Sequence, residues 1–303
     1  MFDKPGLSLA DKKVTLTEIN SGKSIYLAAR GTFVSTRIGK EGDIKSARLF
    51  VGPTCFGSEL KASSSPFTIK SLGDCQVEIF DPRMAETDDS IRKRLRKAAK
   101  NDLYHLALLA SALSERDTPL RIRKLVTILT SGATTESPPV QWAQVAQLSG
   151  TSRGSTSKLA HKLVNNGELE LNNGGFRITE KGLMGGFGEV TQDPTFSPNA
   201  PAKELNSIGL PATMDNLSLL VEARQRINHE DRVAFGIKLI TKDGCYKVTE
   251  AQIGQLIASS RSRTSQVLLQ WRNAGLIICE GEKRRLYRLT EQGEEYISEV
   301  EAK

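Results

Sequence analysis

A long internal repeat limits what this 303-residue chain can fold into more than any other feature. The segment Val140–Leu169 aligns without a gap on Val248–Ile277, 108 residues downstream, with eleven of thirty positions identical. After a three-residue difference in length the match resumes, Phe176-Arg-Ile-Thr-Glu-Lys-Gly182 facing Tyr287-Arg-Leu-Thr-Glu-Gln-Gly293. A period this long does not belong to a solenoid of stacked repeats. It marks a duplicated module, so whatever one copy does is done twice.

Each copy reads as two short helices, a tight turn and a hairpin. In the first, Val145 and Leu148 fall on the inner face of a leading helix, and Gly150 marks the turn. Ser152 caps the next helix by accepting a backbone N–H, and Leu159 and Leu163 point inward one turn apart. In the second, Ile253, Leu256, Ala258, Ser260, Val267 and Trp271 take the same slots. This is the pattern of a helix-turn-helix, in which side chains at the exposed start of the second helix meet base edges.

The candidate base readers are Arg153, Ser155 and Lys158 in the first copy and Arg261, Arg263 and Gln266 in the second. Arginine grips guanine O6 and N7 with two bonds, and glutamine does the same for adenine N6 and N7. Ser152, Thr156, Ser157, Lys162, Ser260, Ser262, Thr264 and Ser265 are short donors or cations suited to phosphates. No Asp or Glu lies between Thr151 and Asn165 or between Ser259 and Asn273, as a surface facing phosphate requires. A hairpin follows each helix. The first turns through Asn172-Asn-Gly-Gly175 and carries Arg177; the second turns through Glu280–Lys283 and carries Arg284, Arg285 and Arg288. Helix-turn-helix plus hairpin makes each copy a winged helix-turn-helix.

Upstream, residues 12–80 are rich in β-forming residues broken about every ten residues by Gly, Ser, Asp and Pro, the pattern of a small antiparallel barrel or sandwich. From Asp88 to Leu113 there is neither Gly nor Pro. Apolar residues recur at Ile91, Leu95, Ala98, Leu106, Leu109 and Leu113, a long amphipathic helix with a break at Asp102. Its stripe is expected to pair two copies into a homodimer. The opposite face carries Arg92, Lys93, Arg94, Arg96, Lys97 and Lys100, a solvated face or a contact to the DNA backbone. A helix over Leu120–Thr130 introduces the first copy, and helices over Met214–Asn228 and Arg232–Thr241 introduce the second. Residues 184–212, with Gly, Pro, Ser and Asn and no periodicity, read as a flexible linker.

The second copy, at Gln252-Ile-Gly-Gln-Leu256, Ser260-Arg261 and Gly275-Leu-Ile277, resembles the cyclic-AMP receptor protein/FNR family of bacterial transcription regulators. The first resembles it through Gln144-Val-Ala-Gln-Leu148 and Ser152-Arg153, and the closing Leu289-Thr-Glu-Gln-Gly293 is also similar to MarR-type winged helices. Gly22–Gly31 and Cys55-Phe-Gly-Ser-Glu-Leu60 resemble strand and turn segments of the family's sensor domain. The resemblance implies an α+β chain: a small N-terminal β-roll, cyclic-nucleotide-binding-like, over 1–84, and a long dimerisation helix over 85–115. Winged helices then follow over 116–183 and 213–303, on either side of the 184–212 linker. The stretch Ser63-Ser-Ser-Pro-Phe-Thr68 has no arginine to clamp a cyclic phosphate, and no cysteine cluster is present for iron–sulfur sensing, so the β-roll is read as degenerate and no cofactor is expected.

The remaining composition fits this reading. A net charge of +7 and a pI near 9.2 suit local nucleic-acid-facing patches. Cys55, Cys75, Cys245 and Cys279 form no Cys-x-x-Cys pair; His105, His161 and His229 form no triad or metal-ligand pattern; no phosphate-binding Gly loop occurs. No metal site or enzyme activity is expected. Without an apolar targeting or membrane segment, a soluble, cytoplasmic, nucleoid-associated protein is expected. Its partners would be double-stranded DNA, a second copy of itself and RNA polymerase. A plasmid-type replication initiator with tandem winged helices, or a winged-helix scaffold that binds protein, are the alternative readings.

Overall fold

The computed structural model describes residues 9–10, 15–17, 25–38, 44–56, 67–72, 75–130, 137–172, 174–242, 247–282 and 285–302. It is a mixed α+β chain. The N-terminal strands are β1 (Leu9–Ala10), β2 (Thr15–Thr17), β3 (Ile25–Arg30), β4 (Thr32–Ile38), β5 (Ile44–Val51), β6 (Thr54–Phe56), β7 (Phe67–Ser71) and β8 (Gln76–Phe80). Among the described residues they form two antiparallel sheets, ordered β1-β8-β3-β6 and β2-β7-β4-β5. Their inner faces share one aromatic core, in which Phe56 from one sheet stands edge-on to Phe33 and Phe50 from the other at centroid distances of 5.0 and 5.2 Å.

Strand periodicity then sends the next residues outward. Phe33 pairs with Phe50 toward the sandwich, whereas Val34 pairs with Leu49 toward the helices, where both join the core around α2. The helices here are α1 (Pro82–Thr87) and α2 (Asp89–Ser114), separated by Asp88, which caps α2 by accepting from the N–H groups of Ser90 and Ile91. Ile91 and Ala98 pack on Leu27 and Phe80. The break in the apolar pattern at Asp102 is a buried carboxylate that accepts from the Cys55 N–H at 3.3 Å. Beside it the Asn101 side chain donates to the carbonyls of Val51 and Pro53. On the basic face Arg94 pairs with Glu78 at 2.5 Å and Arg92 donates to the Ala85 and Glu86 carbonyls, while Lys93, Arg96, Lys97 and Lys100 are exposed.

The first copy follows as α3 (Thr118–Leu129), α4 (Trp142–Ser149), α5 (Arg153–Asn165), β9 (Leu169–Asn172) and β10 (Gly175–Ile178). Three short helices come next: α6 (Glu180–Met184), α7 (Gly186–Gln192) and α8 (Asn199–Ser207). The second copy comprises α9 (Met214–Gln225), α10 (His229–Thr241), β11 (Lys247–Val248), α11 (Glu250–Leu256), α12 (Arg261–Asn273), β12 (Ile277–Glu280), β13 (Arg285–Leu289) and α13 (Glu291–Ala302).

Two expectations are corrected here. The segment 184–212 is not a flexible linker. Phe187, Val190, Leu205, Ile208 and Leu210 are buried, α7 packs on α3, and α8 packs on α2. Ser111 in α2 donates to the Thr195 carbonyl at 3.0 Å, and buried Lys124 in α3 pairs with Asp193 at 2.9 Å. Helices of five to nine residues are too short to show a 3.6-residue period, so the segment read as irregular. Nor is the apolar stripe of α2 open for pairing. Leu106, Leu109 and Leu113 are buried within the chain under α3, α8 and α9. The second copy supplies the cover that the sequence seemed to lack, and one continuous core runs from Leu106 through Leu125, Phe187 and Leu220 to Trp271.

Candidate nucleic-acid interface

The two copies are built by the same local devices. Gln141 with Gln144, and Thr249 with Gln252, close capping boxes at the starts of α4 and α11. The turn after each helix passes through a left-handed residue, Gly150 at φ +63° and Ala258 at φ +53°. Ser152 and Ser260 then cap α5 and α12, their hydroxyls accepting from the Ser155 and Arg263 N–H groups at 3.2 and 3.3 Å. After the hairpins, Thr179 and Thr290 donate to the carbonyls of Gly167 and Gly275 at 2.5 and 2.7 Å. They also accept from the N–H groups of Gly182 and Gly293 at 3.0 Å. A Cβ on either glycine would lie 2.3 or 2.1 Å from the facing carbonyl oxygen of Glu168 or Leu276, which explains the repeated Thr-Glu-x-Gly.

Most of the expected readers lie where a ligand reaches them. Ser152, Arg153, Ser155, Lys158 and Lys162 are exposed along α5, with Ser157 half-buried. Arg261, Ser262, Arg263 and Gln266 are exposed along α12, with Ser260 half-buried. On the second hairpin Arg288 is exposed, and Arg284 lies outside the described residues.

Five assignments change. Thr156 and Thr264 are fully buried, and their hydroxyls donate to the Ser152 and Ser260 carbonyls one turn back, at 3.1 and 3.0 Å. They are packing residues on the inner face of each helix and cannot reach a phosphate. Ser265 donates its hydroxyl to Glu250, and Arg285 pairs with the same carboxylate at 2.6 Å, so both serve to join α11, α12 and the hairpin. Arg177 is exposed as expected but pairs with Glu170 across its hairpin at 2.5 Å. Glu250, absent from the sequence reading, is a carboxylate held against α12. With Thr249, Ala251, Arg261, Glu282 and Arg285 it lines a cleft of about 390 Å³ among the starts of α11 and α12 and the hairpin.

Sequence reasoning also missed the groups behind the two turns. The last carbonyls of α4 and α11 have no partner within their own helices. Arg121 donates to the Ser149 carbonyl at 3.2 Å, and the Gln225 side chain donates to that of Leu148 at 3.2 Å. Arg224, fully buried, donates to the carbonyls of Leu256 at 2.7 Å and Ala110 at 2.6 Å and pairs with Glu204. Arg116 donates to the Ser259 carbonyl at 2.7 Å. Nearby, His229 lies 3.1 Å from the Ser259 hydroxyl. Its pKa is held below the ordinary 6.5 by burial first and by the charges of Arg232 and Arg263, against a hydrogen bond with the Arg263 backbone that raises it.

Among the described residues no group of three or more His, Cys, Asp or Glu side chains is placed to hold a metal ion, and no helix is long and apolar enough to cross a membrane. No protein-family model matches the chain, and no curated protein matches it. Solved structures do. A transcriptional regulator of the CRP family from Thermus thermophilus matches at 16% identity over 60% of this chain and 96% of that one, with a TM-score of 0.49. A second regulator from that organism, of the CRP/FNR family, matches at 16% identity over 60% and 98%, TM-score 0.46. FixK2 from Bradyrhizobium japonicum matches at 14% identity over 58% and 94%, TM-score 0.40.

Proposed function

We propose that the chain is a sequence-specific, double-stranded-DNA-binding transcription regulator whose segments 116–183 and 213–303 are two winged helix-turn-helix modules. One observation carries this reading. Each copy presents, at the capped and exposed start of its second helix, side chains able to read base edges: Arg153, Ser155 and Lys158, then Arg261, Arg263 and Gln266. Neither helix contains an acidic residue. Backbone N–H groups at the two helix starts add the partial positive charge that favours phosphate.

Selection of binders from a random duplex pool tests it. The full chain should enrich a defined sequence, and Arg261→Ala with Arg263→Ala should weaken binding to it by about 1–3 kcal/mol per lost bidentate contact. The melting temperature should stay within about 1–2 °C, because exposed side chains contribute little packing. Enrichment of no sequence, with no salt-sensitive retention on heparin, would refute the reading and favour a protein-binding scaffold. Melting of an origin-like target with direct repeats would favour the replication-initiator alternative.

A further inference from the structure

The repeat extends further than its aligned core, and the extension decides how the two copies meet. The N-caps Asp117 of α3 and Asn228 of α10 are counterparts, 111 residues apart (228 − 117). At the same spacing Arg121 donates to the Glu115 carbonyl at 2.8 Å and Arg232 to the Arg226 carbonyl at 2.5 Å. Thr130 and Thr241 likewise donate to the Val126 and Ile237 carbonyls at 3.1 and 2.9 Å. Helix α9 is therefore the counterpart of the last three turns of α2: Leu106 matches Leu217, Leu109 matches Leu220, and all four are buried.

These counterpart helices pack on each other, with their C-terminal ends side by side through the bond from Arg224 to the Ala110 carbonyl. The contacts beyond them are exchanged. The turn before α3 in the first copy reaches the turn after α11 in the second, Arg116 to the Ser259 carbonyl. The end of α9 in the second copy reaches the end of α4 in the first, Gln225 to the Leu148 carbonyl. Gly150 sits so near that a Cβ there would lie 2.6 Å from the Gln225 carbonyl oxygen. Arg121 also lies near enough to its counterpart to act on it: Arg232 is lowered to about 10, by burial first and by the charge of Arg121 second. Like meeting like at the centre, with reciprocal contacts on either side, is the signature of a two-fold interface.

We propose that one chain holds both reading heads as a fixed, internally two-fold pair, and that its target is a single duplex with two unlike half-sites one helical turn apart, bound by one chain. This rests on α5 and α12 being DNA-reading helices. A two-fold rotation preserves direction along its axis, so a head that faces the duplex along the axis brings its counterpart to the same face. Two such heads match half-sites about 34–36 Å apart. The half-sites are unlike because only one reader is shared, Arg153 with Arg261. Ser155 faces Arg263, and Lys158 faces Gln266.

Two measurements on the full chain test this. Labels introduced through unnatural amino acids at exposed Lys162 and Gln270, in the protein without DNA, should give one narrow distance distribution; a broad one overturns the fixed pair. With duplex from random selection, mass measurement should show one chain per duplex and a non-palindromic two-part site. Arg153→Ala with Lys158→Ala should erase protection of one part, and Arg261→Ala with Arg263→Ala that of the other. Five base pairs inserted between the parts should lower affinity about 100-fold or more, the advantage of two linked heads. Two chains on a palindromic site, or tolerance of the insertion within about threefold, overturns the inference and leaves DNA reading intact. If labels report a narrow distance but no duplex is selected, the DNA target falls together with the reading of α5 and α12.

Discussion

The position between the two helices of each copy offers a paired perturbation with opposite consequences. Gly150 and Ala258 are counterparts, both left-handed, at φ +63° and +53°. In Gly150→Ala the new Cβ meets backbone it cannot displace cheaply: the Gln225 oxygen at 2.6 Å, the Gln225 Cα at 2.7 Å and the Arg224 oxygen at 2.9 Å. A left-handed alanine costs about 1–2 kcal/mol, offset by about 0.4–1 kcal/mol from the stiffer unfolded chain. Forcing the backbones apart adds about 1–3 kcal/mol, for a net loss of roughly 2–3 kcal/mol. Ala258→Gly removes the left-handed strain and gives back the same unfolded-state entropy. It also loses one buried methyl, worth about 0.8 kcal/mol, so it should fall within about 1 kcal/mol of wild type. Urea and thermal unfolding of both variants provide the comparison. The first should melt about 4–8 °C lower and the second within about 2 °C. A loss in Gly150→Ala no greater than the roughly 1 kcal/mol left by left-handed strain after its entropic offset would refute the argument, because strain is common to the two sites and merely changes sign between the two substitutions. Only contact between the first turn and the end of α9 separates them.

Other consequences are simpler to measure. Trp271 is 1% exposed, stands edge-on to Tyr296 at 5.2 Å and donates to Glu230 at 3.3 Å; Trp271→Ala should cost about 3–5 kcal/mol, read by denaturant unfolding. Arg224→Met leaves the Ala110 and Leu256 carbonyls and the Glu204 carboxylate without their donor, and should cost a similar 3–5 kcal/mol; a loss under about 1 kcal/mol would show the cation to be dispensable. His105 and His229 both have pKa values lowered, by burial first, so the folded state binds fewer protons than the unfolded chain below about pH 6.5. Stability should therefore fall as pH drops from 7 through 6.5 toward the folded pKa values, and His229→Gln should flatten part of that slope in thermal melts.

How much of this was legible in the sequence depends on how far apart the interacting residues lie. The strands, the long helix and the two turns follow from local patterns: alternation at Phe33 and Val34, Ser caps at 152 and 260, small residues at 150 and 258. The exposure of the candidate readers on α5 and α12 was legible for the same reason. Thr156 and Thr264 were misplaced because a hydroxyl is equally suited to a phosphate and to the carbonyl four residues back, and only burial decides between them. The cover on Leu106, Leu109 and Leu113 was beyond pattern reasoning, since much of it comes from α8 and from α9, the latter more than a hundred residues downstream. The short helices of 184–212 failed for want of length rather than for want of apolar residues.

The continuous core has a consequence for where this chain can be divided. A repeat in sequence invites cutting between the copies, near residue 184, to obtain two autonomous pieces. Here each piece would leave with half of a shared interior. The N-terminal fragment would carry Leu106, Leu109 and Leu113 into water, and the C-terminal fragment would carry Leu217, Leu220 and a buried Arg224 stripped of its bond to the Ala110 carbonyl. The unit of inheritance and the unit of folding thus differ in this chain. Heating should melt both copies in one cooperative transition, and a protease that nicks the 184–212 segment should produce two halves that stay together until denaturant separates them.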